Sequence, residues 1–164
     1  IGRPLFTTLI GLLYKGEPII GIINQPILKD RWIGVYGKTS LLNGIEISTK
    51  SNSDLNQAII ATTAPEYFQN SNYERYKNIA SKCAYPIYGG DAYNYGGVAN
   101  GLIDIAIDET LKPHDFLPII TIIEGAGGII TDWQGNKLSK DSKGDIVITA
   151  NKELHSEVLR LLKD

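Results

Sequence analysis

Leu111 to Trp133, LKPHDFLPIITIIEGAGGIITDW, is the stretch whose reading decides the fold. A proline-containing turn leads into an apolar helical segment that ends at Gly125-Ala126-Gly127-Gly128, and Gly128 to Asp132 reads as a strand. Glycines just past an apolar helix are expected as left-handed caps. A dinucleotide-binding loop needs a strand before its glycines and a helix after them, which is the reverse of the order here. At the other end, Asp115 before Phe116-Leu117-Pro118 reads as an N-cap, with Pro118 tolerated in the first turn. One carboxylate oxygen can accept a backbone N–H while the other faces a cation.

Moving outward, strands and helices alternate. Ile59 to Thr62 reads as a buried strand, and a helix follows from about Pro65 to Ala80, with Thr63 as cap and Pro65 in the first turn. Tyr85 to Tyr88 is a strand, Ala92 to Asn100 a helix ended by Gly101, and Ile103 to Ile107 an alternating strand. After the central stretch come a strand at Ile146 to Thr149 and a last helix capped by Asn151. That helix places Leu154, Val158, Leu161 and Leu162 on one face. Upstream, residues 7–14, 18–27, 31–36 and 40–47 are apolar runs separated by glycine-bearing turns, the pattern of an antiparallel meander. Pro26 and the glycines inside those runs point to edges or bulges. The expected architecture is an α/β layered sandwich. Residues 1–56 form an antiparallel β part, residues 57–164 a mixed α/β part, and the polar run 49–57 joins them.

With 164 residues, 43% hydrophobic and 21% charged, the chain has the composition of a globular domain. A net charge of −2 with Lys and Arg scattered singly argues against a nucleic-acid partner and favours a small molecule. No apolar run has the length of a membrane span. The single cysteine, Cys83, cannot form an internal disulfide, and no Cys/His cluster has zinc spacing, which suits a cytoplasmic protein. The absence of methionine in a chain opening on Ile1 reads as a fragment or processed product.

Asp108 and Glu109 end the IDIAI strand, where ligands gather in open α/β sheets, so Glu109 and Asp115 can share one rim. Hard oxygen ligands of this kind suit Mg2+. Gly89-Gly90-Asp91 lies between a strand and a helix, so its N–H groups can hold a polar group of a substrate, or Asp91 can serve as a plain N-cap. His114 lacks a nucleophile partner and reads as a loop residue. His155 reads as solvated, Cys83 as structural, and Trp32 and Trp133 as packing residues.

The runs GRPLFTTLIGLL, PIIGIINQPILKDRWIGVYG, YGGDAY, IDIAIDETLKPHD and IIEGAGGIITDW together resemble the inositol monophosphatase family of Mg2+-dependent, lithium-sensitive phosphatases. Gln25-Pro26-Ile27-Leu28 and Leu111-Lys112-Pro113-His114-Asp115 look most like its histidinol-phosphatase branch. The resemblance implies a layered α/β phosphatase that hydrolyses phosphate monoesters with Mg2+, forms a homodimer at full length, and acts on histidinol phosphate or inositol monophosphate. It implies Asp115 as a metal ligand and Glu109 as the residue reaching the leaving-group alcohol. Gly90, Asp91 and Ala92 would contact the organic part of the substrate, and Asp91 and Glu109 would suit a cationic amine. The family's other ligands lie in a Glu-Glu pair and an Asp-Pro-Ile-Asp-Gly-Thr motif, neither of which occurs here. The water-activating residues belong to those motifs, so the chain is expected to be inactive alone and to be the C-terminal portion of a phosphatase. The alternative is a non-catalytic short product that binds a phosphorylated metabolite or a partner subunit.

Overall fold

The computed structural model describes residues 2–51 and 54–163. Ile1 and residues 52 and 53 of the polar connection therefore lie outside the described residues. The first sheet is an antiparallel meander of β1 (Thr8–Tyr14), β2 (Glu17–Gln25), β3 (Asp30–Val35), β4 (Leu41–Leu42) and β5 (Ile45–Glu46), paired in that order. The single strand expected over 40–47 is instead two, because Asn43-Gly44 reverses the chain. Both residues have positive φ, 52° and 85°, as a two-residue hairpin loop demands.

The second sheet runs β7-β6-β8-β10-β9, where β6 is Ile59–Thr62, β7 Tyr85–Tyr88, β8 Ile105–Asp108, β9 Ile129–Asp132 and β10 Ile146–Thr149. β7, β6 and β8 are parallel, and β10 and β9 complete the sheet antiparallel. Helices α2 (Ala92–Ala99) and α3 (Pro113–Gly125) contribute to the apolar core between the two sheets, while α1 (Asn72–Ala80) and α4 (Lys152–Lys163) pack on the outer face of the second. No helix among the described residues is long and apolar enough to cross a membrane.

Of the glycines inside the first three strands, Gly11 lies on the edge strand β1, as expected, but Gly21 and Gly34 lie in interior strands, and all three have a further role. Gly11 pairs with Gly21 and Gly21 with Gly34, so the three form one row across the sheet. A Cβ on Gly21 would lie 1.7 Å from the Pro118 carbonyl oxygen, and one on Gly34 would lie 2.3 Å from the Ile122 nitrogen. The row is the groove in which α3 lies, backbone against backbone, and Thr121 Oγ1 donates to the Gly34 carbonyl at 3.2 Å. The register irregularity between Leu12 and Leu13 is separate from this row.

Three other expectations change. The helix expected over residues 65–80 is a 3₁₀ turn, Pro65–Tyr67, followed by the shorter α1; Ala64, not Thr63, precedes the turn. Asn70, with φ 53°, breaks the path between the two. His155 is buried rather than solvated, with Thr131 Oγ1 and Thr149 Oγ1 each 3.0 Å from a ring nitrogen. It falls on the apolar face of α4 beside Leu154, and burial lowers its pKa to about 4. Asn151 caps α4 as expected, accepting from the Leu154 N–H at 2.8 Å. The glycines after α3 close it: the Gly127 N–H donates to Glu124 and the Gly128 N–H to Ile123, with Gly127 at φ 88°.

Candidate functional site

The parallel strands β6, β7 and β8 point their carboxyl ends to one rim. From there the chain leaves β6 toward α1 on the outer face, but leaves β7 and β8 toward α2 and α3 on the inner face. Such a divergence of loops opens a crevice in α/β sheets. The topology therefore brings Thr63, the Gly89-Gly90-Asp91 turn and the segment from Glu109 to Asp115 to the same end of the sheet.

α3 begins earlier than expected. Lys112 is extended, as a residue before proline prefers, and Pro113 takes the first helical position. Asp115 is consequently the third residue of the helix rather than its N-cap, and Pro118 is interior. The Lys112 N–H donates to Asp115 Oδ2 at 2.8 Å, and the Asp115 N–H donates to the Lys112 carbonyl at 2.8 Å. The other oxygen, Oδ1, is 3.7 Å from His114 Nε2, and the Asp115 side chain is 37% exposed. His114 belongs to the first turn of α3 and not to a loop, and it projects into solvent.

α2 begins under strain. Gly89, Gly90 and Asp91 all have positive φ, at 78°, 102° and 46°, and Asp91 has ψ −133°. An L-residue resists that conformation, which costs on the order of 1–3 kcal/mol. Asp91 occupies the N-cap position, yet its side chain makes no capping bond, so the plain N-cap reading fails. The turn is held instead by Asn94, whose Nδ2 donates to the Gly89 carbonyl at 2.8 Å. Ala92 follows as the first residue of α2 and is buried.

Beneath both helix starts lies a buried carboxylate, Asp108. Tyr95 Oη donates to its Oδ2 at 2.7 Å; Thr62 Oγ1 and the Thr63 N–H donate to its Oδ1 at 3.0 and 2.8 Å. Burial raises the Asp108 pKa, and these donors oppose the rise. The Tyr95 hydroxyl is pushed well up by burial first, then by the charge of Asp108 and, more weakly, of Asp115. Glu109 turns the other way, accepting from the Gln69 N–H at 3.0 Å and from Asn72 Nδ2 at 2.9 Å. It lines a polar bowl of about 440 Å³ with Asn72, Arg75, Lys112 and Asp145. Sequence reasoning placed Asp108 at the strand end without giving it a role. Its alternation with the equally buried Asp104 was the signal that it needed donors. Nothing local in the sequence marks Tyr95.

Among the described residues, no three His, Cys, Asp or Glu side chains converge as a metal centre. Asp115 offers one hard oxygen ligand, and a complete Mg2+ shell does not fit the residues described here. Cys83 is partly buried, and burial raises its thiol pKa to about 12, which leaves it a poor nucleophile near neutral pH.

Comparison with known proteins gives a match to the family model described as the inositol monophosphatase family over residues 1–164. The bifunctional phosphatase IMPL2, chloroplastic, of Arabidopsis thaliana is 43% identical, the match covering 99% of this chain and 49% of that protein. A histidinol-phosphatase of Chlorobaculum parvum is 27% identical over 92% of this chain and 58% of its own length. Among solved structures, an inositol monophosphatase from Zymomonas mobilis superposes with a TM-score of 0.96 at 39% identity, covering 99% of this chain and 64% of that one. The chain thus spans about half to two thirds of the length of these relatives.

Proposed function

The chain belongs to the inositol monophosphatase family, and on that premise we propose that the whole protein hydrolyses a phosphate monoester, with this chain supplying the wall that holds the organic part of the substrate. The observation that carries the reading is the pair of helix starts on one rim: the strained Gly89-Gly90-Asp91 turn and the half-exposed Asp115. Strain of this kind persists where the surrounding structure holds it, and it clusters at ligand clamps. The backbone of Gly90, Asp91 and Ala92 meets the substrate alcohol portion. The Asp91 carbonyl accepts from the Asn94 N–H at 3.1 Å, but its carboxylate makes no capping bond, so that carboxylate can pair with a cationic amine. That favours histidinol phosphate over inositol monophosphate. Glu109, already accepting from Gln69 and Asn72, has one further lone pair on each oxygen for the leaving-group alcohol.

Asp115 would offer one oxygen to Mg2+, the remaining ligands having to come from outside this chain, while its second oxygen accepts from the Lys112 N–H. When bound, such an ion polarises a phosphoryl oxygen and lowers the pKa of a water. Phosphate release from histidinol phosphate and inositol monophosphate tests the reading. It is measured for residues 1–164 alone and for a chimera in which the N-terminal portion of the Arabidopsis relative precedes them. Release by the chimera, faster with histidinol phosphate, and none by the chain alone is the expected result. A folded chimera that hydrolyses neither ester would overturn it.

A further inference from the structure

Tyr95, Asp108, Thr62 and Thr63 tie together three parts of the chain: the end of β6, the end of β8, and the second turn of α2. All three bonds end on one carboxylate, and Tyr95, Asp108 and Thr62 are each no more than 3% exposed. None of these side chains is open to a substrate. A buried carboxylate with three donors is rigid, because losing any one leaves charge uncompensated in a poor solvent. The elements it joins are those whose ends carry the candidate site: α2 opens with the strained turn one helical turn before Tyr95, and β8 feeds the segment that leads to Asp115.

We infer that Tyr95 is a positioning residue of the site: through its hydroxyl it locks Asp108, and the locked carboxylate sets where the first turns of α2 and α3 stand relative to each other. The inference rests on the reading of those two helix starts as the substrate wall. Asp108 acts in it as a tether and not as a substrate ligand. Tyr95→Phe removes the donor to Oδ2 and Thr62→Val the side-chain donor to Oδ1, so each breaks the tether from one side.

Amide hydrogen exchange on residues 1–164, followed by NMR, reads this directly. Tyr95→Phe is expected to speed exchange about tenfold at Tyr93 and Asn94 in the first turn of α2 and at Asp115 in the first turn of α3, the size of one hydrogen bond to a charged group. Leu154 in α4 stays unchanged. If Tyr95→Phe does not fold, Thr62→Val removes a donor from the opposite side and is expected to loosen the same amides. Unchanged exchange at Asp115 in whichever variant folds overturns the inference, as does an equal rise at Leu154. In the active chimera the same lesion raises KM for the phosphate ester more than it lowers kcat. A chimera without turnover would refute the phosphatase reading while leaving the exchange data to judge the tether.

Discussion

The two faces of the mixed sheet differ in how several of their polar side chains are partnered, although Tyr76 Oη on α1 is buried without a hydrogen-bond partner among the described residues and Asp108 under α2 has three donors. On the outer face, under α1 and α4, both ring nitrogens of His155 are engaged by threonines, Trp133 Nε1 donates to the Ile146 carbonyl at 3.1 Å, and both oxygens of Glu109 are bonded. On the inner face, α2 follows a strained aspartate whose carboxylate makes no capping bond, and the first turn of α3 holds an aspartate with one oxygen bonded to the Lys112 N–H and the other 3.7 Å from His114. Closed polar groups add stability; open ones at a helix start cost it or add little, and they remain available to a ligand. The contrast is what supports the proposed site on the inner rim.

The strongest way to break the inner face is at its foundation. Gly21→Ala puts a Cβ 1.7 Å from the Pro118 carbonyl, an overlap of backbone that no rotamer relieves. The expected loss is about 4 kcal/mol or more in urea unfolding, because α3 must leave its groove. A variant that unfolds within about 1 kcal/mol of wild type would show that the helix is free to shift. The outer face breaks through acid. His155 is held neutral, its pKa lowered from 6.5 to about 4 by burial. The unfolded chain therefore binds its proton first as pH falls, so this contribution is fully present above about pH 6.5 and is lost progressively toward pH 4. It amounts to on the order of 3 kcal/mol across that window. His155→Gln should flatten the dependence of the urea midpoint over the same range; an unchanged slope would show that carboxylates alone govern it.

How much of this was legible in the sequence follows from the range of the interactions. The meander, the succession of strands and helices along the second part of the chain, the cap at Asn151 and the glycine exit from α3 rest on local patterns, and the residues themselves state them. The glycine row does not: Gly11, Gly21 and Gly34 read as breaks in three strands until pairing aligns them under one helix. His155 has Glu153 and Glu157 two residues away on either side in sequence but lies on the apolar face in space. Asp115 misled for a local reason, since Pro113 and Pro118 both fit a first turn and only one can take it. The tether at Asp108 required knowing that β6 and α2 converge on β8, which is tertiary information.

Two smaller substitutions sharpen the contrast at the helix starts. Asp91→Gly relieves the positive φ and should raise stability by about 1 kcal/mol, after the entropy that glycine loses on folding is set against the strain removed. It should also weaken any preference of the chimera for an amine-bearing ester. Stability that falls instead would mean the aspartate side chain anchors the turn.

Asp115→Asn carries the smallest structural effect and separates cap from ligand most sharply. The amide oxygen still accepts from the Lys112 N–H, so only the favourable charge at the helix start is lost, about 0.5 kcal/mol. Affinity for a divalent cation depends on that charge far more than the helix does, because a neutral amide replaces a carboxylate ligand. In the chimera, the Mg2+ concentration needed for half-maximal phosphate release should therefore rise steeply while the urea midpoint barely moves. An unchanged Mg2+ requirement would leave Asp115 as a helix-start residue alone, and the inner rim would then owe its open carboxylate to something other than a metal.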